Sequence, residues 1–308
     1  LLNLTELPES LAIIGGGYIA AEYGHFFSAM GSKVTIIGRN QQFVPSEEPE
    51  VSELLKRELG KYMTILTGFE VTEVRKNGKK VVVAVNKKTK AVKESLVDEI
   101  LVATGRTSNA DILKPEKTGV KTDKRGWIIV NEYLETTKPN IWALGDATGK
   151  YLFKHVANYE SHIVYYNAFT NQKMKVDYHA VPHAVFTYPE VASVGMRQEA
   201  AKKHKILVGY QRYEDTAKGD AMKVRDCFVK VIVEQDTFKI LGAHIIGPSA
   251  SVLIQEIVNL MYTDNQTALS IFRGMHIHPA LSEVVERAFF NLQRPYNESE
   301  YEHVHKKH

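Results

Sequence analysis

Cysteine is nearly absent from this chain: Cys227 is the only one in 308 residues. A lone thiol excludes an internal disulfide framework and any metal centre built on several cysteines. Long apolar runs are missing too. No stretch approaches the ~20 residues that span a bilayer, and no signal-peptide pattern opens the sequence. Charge of one sign is also scarce. The formal net charge is +3, with no basic stripe interleaved with aromatics, so nucleic acid is not an implied partner. These absences make a soluble, cytoplasmic protein without a membrane partner the expectation. What remains is a 44% hydrophobic chain, long enough for about two or three cored domains.

Residues 10–14 (SLAII) read as a short buried strand that runs into Gly15, Gly16, Gly17, Tyr18, Ile19, Ala20, Ala21 and Glu22, the start of a helix reaching about Met30. Gly31 ends that helix and residues 33–37 (KVTII) form the next strand. In this βαβ unit Gly15 permits the tight turn, Gly17 lets a pyrophosphate approach the backbone, and Ala20 allows close helix–strand packing. The free N–H groups of the helix N-terminus then face the phosphates. The second strand ends Ile37-Gly38-Arg39-Asn40, with no acid before Glu47 to take a ribose 2′-hydroxyl. A basic residue there suits a 2′-phosphate, so NADP is expected over NAD.

A helix near 50–59 and a strand at 62–66 follow. Segments 71–75 and 81–85 alternate around Asn77-Gly78, a hairpin signal, and 97–103 reads as a buried strand returning to the parallel sheet. Further on, Gly105 and the Gly145-Asp146 pair are strand-end glycines, the second beside an acid able to accept from a ribose or ribityl hydroxyl. A helix of about fifteen residues then ends near Asn171, and its N-terminus suits negative charge. By spacing alone these are turns and a cap.

Beyond a polar linker at 171–178, strands and then helices succeed one another, which indicates an α+β layer with an antiparallel sheet. Val252, Ile254, Ile257, Val258 and Met261 form a helix face that would pack on it. The segment His278-Pro279-Ala280-Leu281-Ser282-Glu283 places a carboxylate one turn into a helix starting near Pro279, within reach of an imidazole. Such a carboxylate fixes the tautomer of one ring nitrogen and raises the basicity of the other. His179, His183 and His244 lack partners at ligand spacing and read as structural. His276 could pair with His278 on a metal, but Pro279 and Glu283 account for the segment better, so no metal site is expected. Cys227, beside the strand 228–233, reads as structural. Residues 298–308 look like a solvated tail.

Taken in order, the glycine turn, the ATGR segment at 103–106, the Leu144-Gly145-Asp146 element and the His278-Pro279…Glu283 end resemble the flavin-dependent pyridine nucleotide–disulfide oxidoreductases. The resemblance covers nearly the whole chain. Residues 105–113 (GRTSNADIL), 151–158 (YLFKHVAN) and 278–283 look most like mycothione reductase, and 31–40 (GSKVTIIGRN) look like mercuric reductase. The His278-Pro279 pair argues against mercuric reductase, which lacks the His–Glu base. The resemblance implies that Gly15, Gly17 and Glu22 line the nicotinamide nucleotide site, with Gly16, Tyr18 and Ile19 in the same turn. Arg39 would lie near the adenosine ribose, and Val71 and Gly105 further along the site. It implies FAD as second cofactor, with Asp146 on the ribityl chain and Leu152, Phe153, Lys154 and His155 along the isoalloxazine edge. His278 would exchange a proton with a thiol, oriented by Glu283, at the active site of the other subunit of a homodimer.

The implied fold class is α/β: a Rossmann-like dinucleotide-binding domain (1–104), a partial FAD-domain segment (105–175) and an α+β dimerisation domain (176–297). Family members begin with a segment that holds the FAD adenosine loop and a Cys-x4-Cys pair, neither of which occurs here. The chain is therefore expected to be a C-terminal fragment, inactive alone, of an NAD(P)H:disulfide oxidoreductase acting on a small disulfide or thiol. A mercuric reductase-like enzyme and a non-redox, nucleotide-binding dimerisation module are the alternatives.

Overall fold

The computed structural model describes residues 4–295, so the expected tail at 298–308 lies outside the described residues. Two compact units are present. One runs to Thr104 and resumes at Pro182; the other is Gly105–Val181.

In the first unit β1 (Ser10–Ile14) lies between β2 (Lys33–Gly38) and β7 (Glu99–Val102), with β3 (Thr64–Thr67) beyond β2, all parallel. Helix α1 (Tyr18–Ala29) crosses between β1 and β2 and buries Ala20, Ala21, Gly24 and Phe27. A β-carbon on Gly24 would lie 2.8 Å from Ile36 Cδ1, so the small residue sets how closely helix and strand approach. Helix α2 (Pro49–Leu59) begins with proline and carries Glu50 in its first turn and Lys56 and Arg57 in its last, in keeping with its dipole. Ile13 and Ile36, fully buried, anchor this core; truncating either to alanine costs about 2–5 kcal/mol.

The hairpin expected at Asn77-Gly78 is present between β4 (Phe69–Asn77) and β5 (Lys79–Asn86), but β6 (Val92–Val97) extends it to a three-stranded antiparallel sheet. The single strand expected over 97–103 is thus two elements. Asp98 divides them: its Oδ2 accepts from the Ser10 N–H at 2.9 Å and the Ser10 hydroxyl at 2.6 Å, and Lys79 lies 2.8 Å from Oδ1. These partners, Lys79 first, lower the Asp98 pKa to about 2. Nor is β7 fully buried. It is the sheet edge, and Val102 is exposed.

The second unit is mostly irregular. It contains α3 (Lys154–Phe169) and a small core of Ala110, Val120 and Ile128. Gly149, at φ +69°, lies so close to the Trp127 indole that a β-carbon would sit 2.3 Å from the ring.

The first unit resumes with β8 (Pro182–Val185) and β9 (Val191–Gly195), then α4 (Gln198–Ala201), β10 (Ile206–Arg212), α5 (Ala217–Ala221), β11 (Phe228–Glu234) and β12 (Ile240–Ile246). The sheet is antiparallel in the order β10-β11-β12-β9-β8. Helices α6 (Ala250–Met261), α7 (Leu269–Arg273) and α8 (Ser282–Phe290) complete it. One expected face is corrected: Val252 is 70% exposed, and Leu253 joins Ile254, Ile257, Val258 and Met261 in the buried set. Helix α8 starts at Ser282 rather than near Pro279, because residues 278–281 form a turn closed by the Glu283 side chain.

Candidate functional site

At the end of β1 the chain turns through Gly15 (φ +133°), whose N–H donates to the Ile37 carbonyl at 2.9 Å. A β-carbon on Gly15 would fall 2.2 Å from the Ala103 carbonyl oxygen, and one on Gly16 would fall 3.2 Å from the Gly38 Cα. The turn is therefore wedged between the ends of two neighbouring strands. A β-carbon on Gly17, by contrast, would meet no other part of the chain within 4 Å. Tight support below and open space at the N-terminus of α1 fit a pyrophosphate resting on backbone N–H groups. Tyr18 and Ile19 form the first turn of α1, both partly buried. Glu22 Oε1 accepts the Phe186 N–H at 3.0 Å, which ties α1 to the segment after β8. Arg39 is exposed just beyond β2. Val71 packs against the cluster containing Ala12 and Ile37, next to a register shift in β4.

The second unit holds Gly105, Asp146 and residues 152–155. Gly105 (φ +119°) has open space where a side chain would be. Arg106 Nη1 lies 3.3 Å from Asp146 Oδ2 and donates to the Leu152 carbonyl at 3.2 Å, so one guanidinium links both loops. The Gly145 N–H donates to Glu160 Oε2 at 2.5 Å, and the other oxygen of this buried carboxylate takes the Tyr178 hydroxyl at 2.5 Å. Burial first, and then Glu160, raises the Tyr178 pKa, so the phenol stays a donor. Asp146 remains half-exposed. The Phe153 and His155 rings stack 5.3 Å apart, and Lys154 opens α3. A left-handed Gly145 and a half-exposed Asp146 carboxylate, one oxygen of which is paired with Arg106, fit a polyhydroxyl chain such as that of FAD.

At the turn before α8, His278 Nδ1 lies 2.9 Å from Glu283 Oε1, and the Ala280 N–H donates to Oε2 at 3.0 Å. Arg287 Nη2 is 3.4 Å from the same Oε1. Glu283 is 7% exposed and His278 64%. The His278 bond, followed by the Ala280 N–H, holds the Glu283 carboxyl below its usual range. An ionised carboxylate only accepts, so Nδ1 carries the hydrogen and Nε2 is left to exchange a proton with another molecule. His276 is engaged elsewhere: its Nε2 is 2.9 Å from Glu256 Oε1 and its Nδ1 3.3 Å from Glu286 Oε1. Cys227 is buried, and burial followed by Glu214 pushes its thiol up to about 12. That keeps it protonated and inert.

Several residues escaped the sequence reading. Glu160 and Tyr178 fix the Gly145-Asp146 turn, and the only sequence signal was an acid on an otherwise helical stretch. His183 and His244, read as structural for want of partners at ligand spacing, belong to a largely buried polar network with Glu47, Glu48, Ser193 and Lys230. The partner of His183 is 136 residues distant in the chain, beyond the reach of local spacing.

Comparison with known proteins accords with this geometry. A family profile described as pyridine nucleotide-disulphide oxidoreductase matches residues 1–169, and one described as the dimerisation domain of the same family matches residues 181–289. The mycothione reductase of Mycobacterium tuberculosis H37Rv is 38% identical over 95% of this chain and 64% of its own length. The dihydrolipoyl dehydrogenase of Synechocystis is 37% identical over 94% of this chain and 63% of its own length. For the mercuric reductase of Staphylococcus aureus the figures are 36%, 82% and 47%. The solved structure of an HOCl-induced flavoprotein disulfide reductase, RclA from Escherichia coli, aligns with a TM-score of 0.83 at 29% identity, covering 94% of this chain and 66% of that one. The chain thus spans less than two thirds of the length of the curated relatives it matches. More than half of it is matched by the first profile and most of the remainder by the second, so this protein belongs to the pyridine nucleotide-disulphide oxidoreductases and carries their dimerisation domain.

Proposed function

We propose that the whole protein is a cytoplasmic, homodimeric reductase of a small disulfide that uses FAD and takes its electrons from NADPH. The observation that carries this reading is the His278–Glu283 pair: a buried, ionised carboxylate on Nδ1 of an exposed imidazole. The names of its mycothione reductase and dihydrolipoyl dehydrogenase relatives support a small-disulfide substrate. NADPH would lie with its pyrophosphate on Gly15, Gly16 and Gly17 and its 2′-phosphate near Arg39, with Glu22 and Val71 further along. Asp146 would hold the ribityl chain of FAD, and Leu152, Phe153, Lys154 and His155 would flank it. When bound, FAD supplies the two-electron relay between nicotinamide and a cysteine pair, which this chain does not contain.

The contribution of the chain's own residues at the disulfide is a proton. As a thiolate of the reduced cysteine pair attacks the substrate disulfide, a mixed disulfide forms, the substrate S–S bond breaks, and protonated His278 would give the hydrogen on Nε2 to the departing thiolate. Glu283 stabilises the imidazolium beforehand and keeps Nδ1–H fixed afterwards.

The test is His278→Gln in the whole enzyme. Turnover of disulfide should fall roughly 10²–10⁴-fold, the usual worth of a positioned acid–base group, while reduction of bound flavin by NADPH keeps its rate. Loss of both, or of neither, would remove His278 from the assigned role.

A further inference from the structure

The glycine turn is supported by more than its own strands. The Gly16 carbonyl accepts the N–H of Val44 at 2.8 Å, from a strap formed by residues 43–48. Val44 is fully buried and sits at φ +43°, a left-handed backbone that a β-branched residue rarely adopts. Such strain persists only where the surroundings over-determine it, and it gathers at working sites.

The surroundings here come from the far half of the chain. Glu47, completely buried, has Oε1 2.6 Å from His183 Nε2 on β8, and its Oε2 accepts the Ser193 hydroxyl on β9 at 2.6 Å. Ser193 Oγ is in turn 3.1 Å from Nδ1 of His244 on β12, whose Nε2 donates to the Met196 carbonyl at 3.1 Å. Arg197 Nη1 donates to the carbonyls of Pro45 at 3.1 Å and Glu47 at 3.3 Å. Next along the strap, Glu48 Oε2 takes Lys230 Nζ of β11 at 2.8 Å and its Oε1 takes the Gln198 N–H at 2.6 Å. Burying two consecutive carboxylates is expensive unless each is fully bonded, and both are. A solvated loop would hold residues 43–48 without any of this. The buried network fixes one position of the strap, and through Val44 one position of the Gly16 peptide.

We infer that Glu47 is a positioning residue for nucleotide binding: clamped by His183 and Ser193, it holds the strap that sets the glycine turn for a pyrophosphate. The inference rests on the nucleotide site proposed above. It makes affinity at a turn near residue 16 depend on side chains of the antiparallel sheet, far later in the sequence.

The experiment is equilibrium titration of this chain with NADP+, NAD+ and adenosine 2′-phosphate, for the unaltered protein, Glu47→Gln and Ser193→Ala, well below their unfolding temperatures. Glu47→Gln should weaken both dinucleotides about tenfold, within the range that coupled networks transmit. Ser193→Ala should weaken them less, in the same direction. Adenosine 2′-phosphate, which lacks the pyrophosphate, should bind all three proteins alike. If Glu47→Gln does not fold, Ser193→Ala decides the matter. Unchanged dinucleotide affinity in a folded variant with lowered thermal stability would make the network merely structural and overturn the inference alone. A loss that extends equally to adenosine 2′-phosphate would do the same. Failure of the unaltered chain to bind either dinucleotide would overturn the nucleotide site itself, and the positioning role with it.

Discussion

Glu283 holds His278 from one side only: its Oε1 is 2.9 Å from Nδ1, while Oε2 is occupied by the Ala280 N–H at 3.0 Å. The carboxylate therefore fixes both the ring and the turn that presents it. Glu283→Gln keeps the volume and removes the charge. In the whole enzyme it should lower disulfide turnover by less than the roughly 10²–10⁴-fold expected for loss of the imidazole, with NADPH binding unaltered. Steady-state rates of the two variants side by side check this ordering. Greater impairment by Glu283→Gln than by His278→Gln would contradict it.

Lys230 and Glu48 form a buried ion pair at 2.8 Å, each at most 5% exposed. Removing the cation alone strands a buried carboxylate, which costs about 3–5 kcal/mol. Lys230→Met should therefore lower the denaturant midpoint markedly, and adding Glu48→Gln should restore part of the loss. Urea unfolding of the single and double variants measures both.

The same network makes stability depend on pH. Burial works against the ionised forms of Glu47 and Glu48, but His183 and Ser193 on the first and Lys230 on the second outweigh it, and both folded pKa values are lowered. Burial lowers that of His244 as well. A depressed folded pKa contributes stability that is present above the unfolded value and lost as pH falls. Stability should decline first below about pH 6.5, where an unfolded histidine begins to take up protons, and more steeply below about pH 4.5, where unfolded carboxylates do. His244→Gln should flatten the first decline and leave the second. Urea midpoints from roughly pH 3.5 to neutral, spanning the unfolded carboxylate and histidine ranges, give the comparison.

Arg39 is exposed at the end of β2 and takes part in no ion pair among the described residues. If it binds a 2′-phosphate, Arg39→Ala should weaken NADP+ by roughly ten- to hundredfold, the worth of a charge-assisted hydrogen bond, and leave NAD+ unchanged. Titration of this chain with both nucleotides distinguishes that from equal weakening, which would make the arginine a general surface charge.

What was legible in the sequence was local. The glycine turn announces itself because strand, glycines and helix are contiguous, and the His278–Glu283 pair because its members are close neighbours in the chain. Strand β6 (VKESLV) was not legible: Val92, Glu94 and Leu96 are exposed on one face and only Val97 is buried on the other, so no alternation marks it. The apolar run Val252-Leu253-Ile254 fits two helical phases, and packing on β9 and β12 chose Leu253 over Val252. Glu47 and its partners were illegible for a different reason. A buried acid looks like a surface acid until the fold brings a histidine 136 residues away within 2.6 Å of it.

The most direct measurement is the tautomer of His278, read from long-range proton–nitrogen NMR correlations on this chain near neutral pH. The expected result is a hydrogen held on Nδ1, lost or scrambled in Glu283→Gln. A ring protonated on Nε2 alone, or one indifferent to Glu283, would contradict the reading of this pair as a proton-exchanging base.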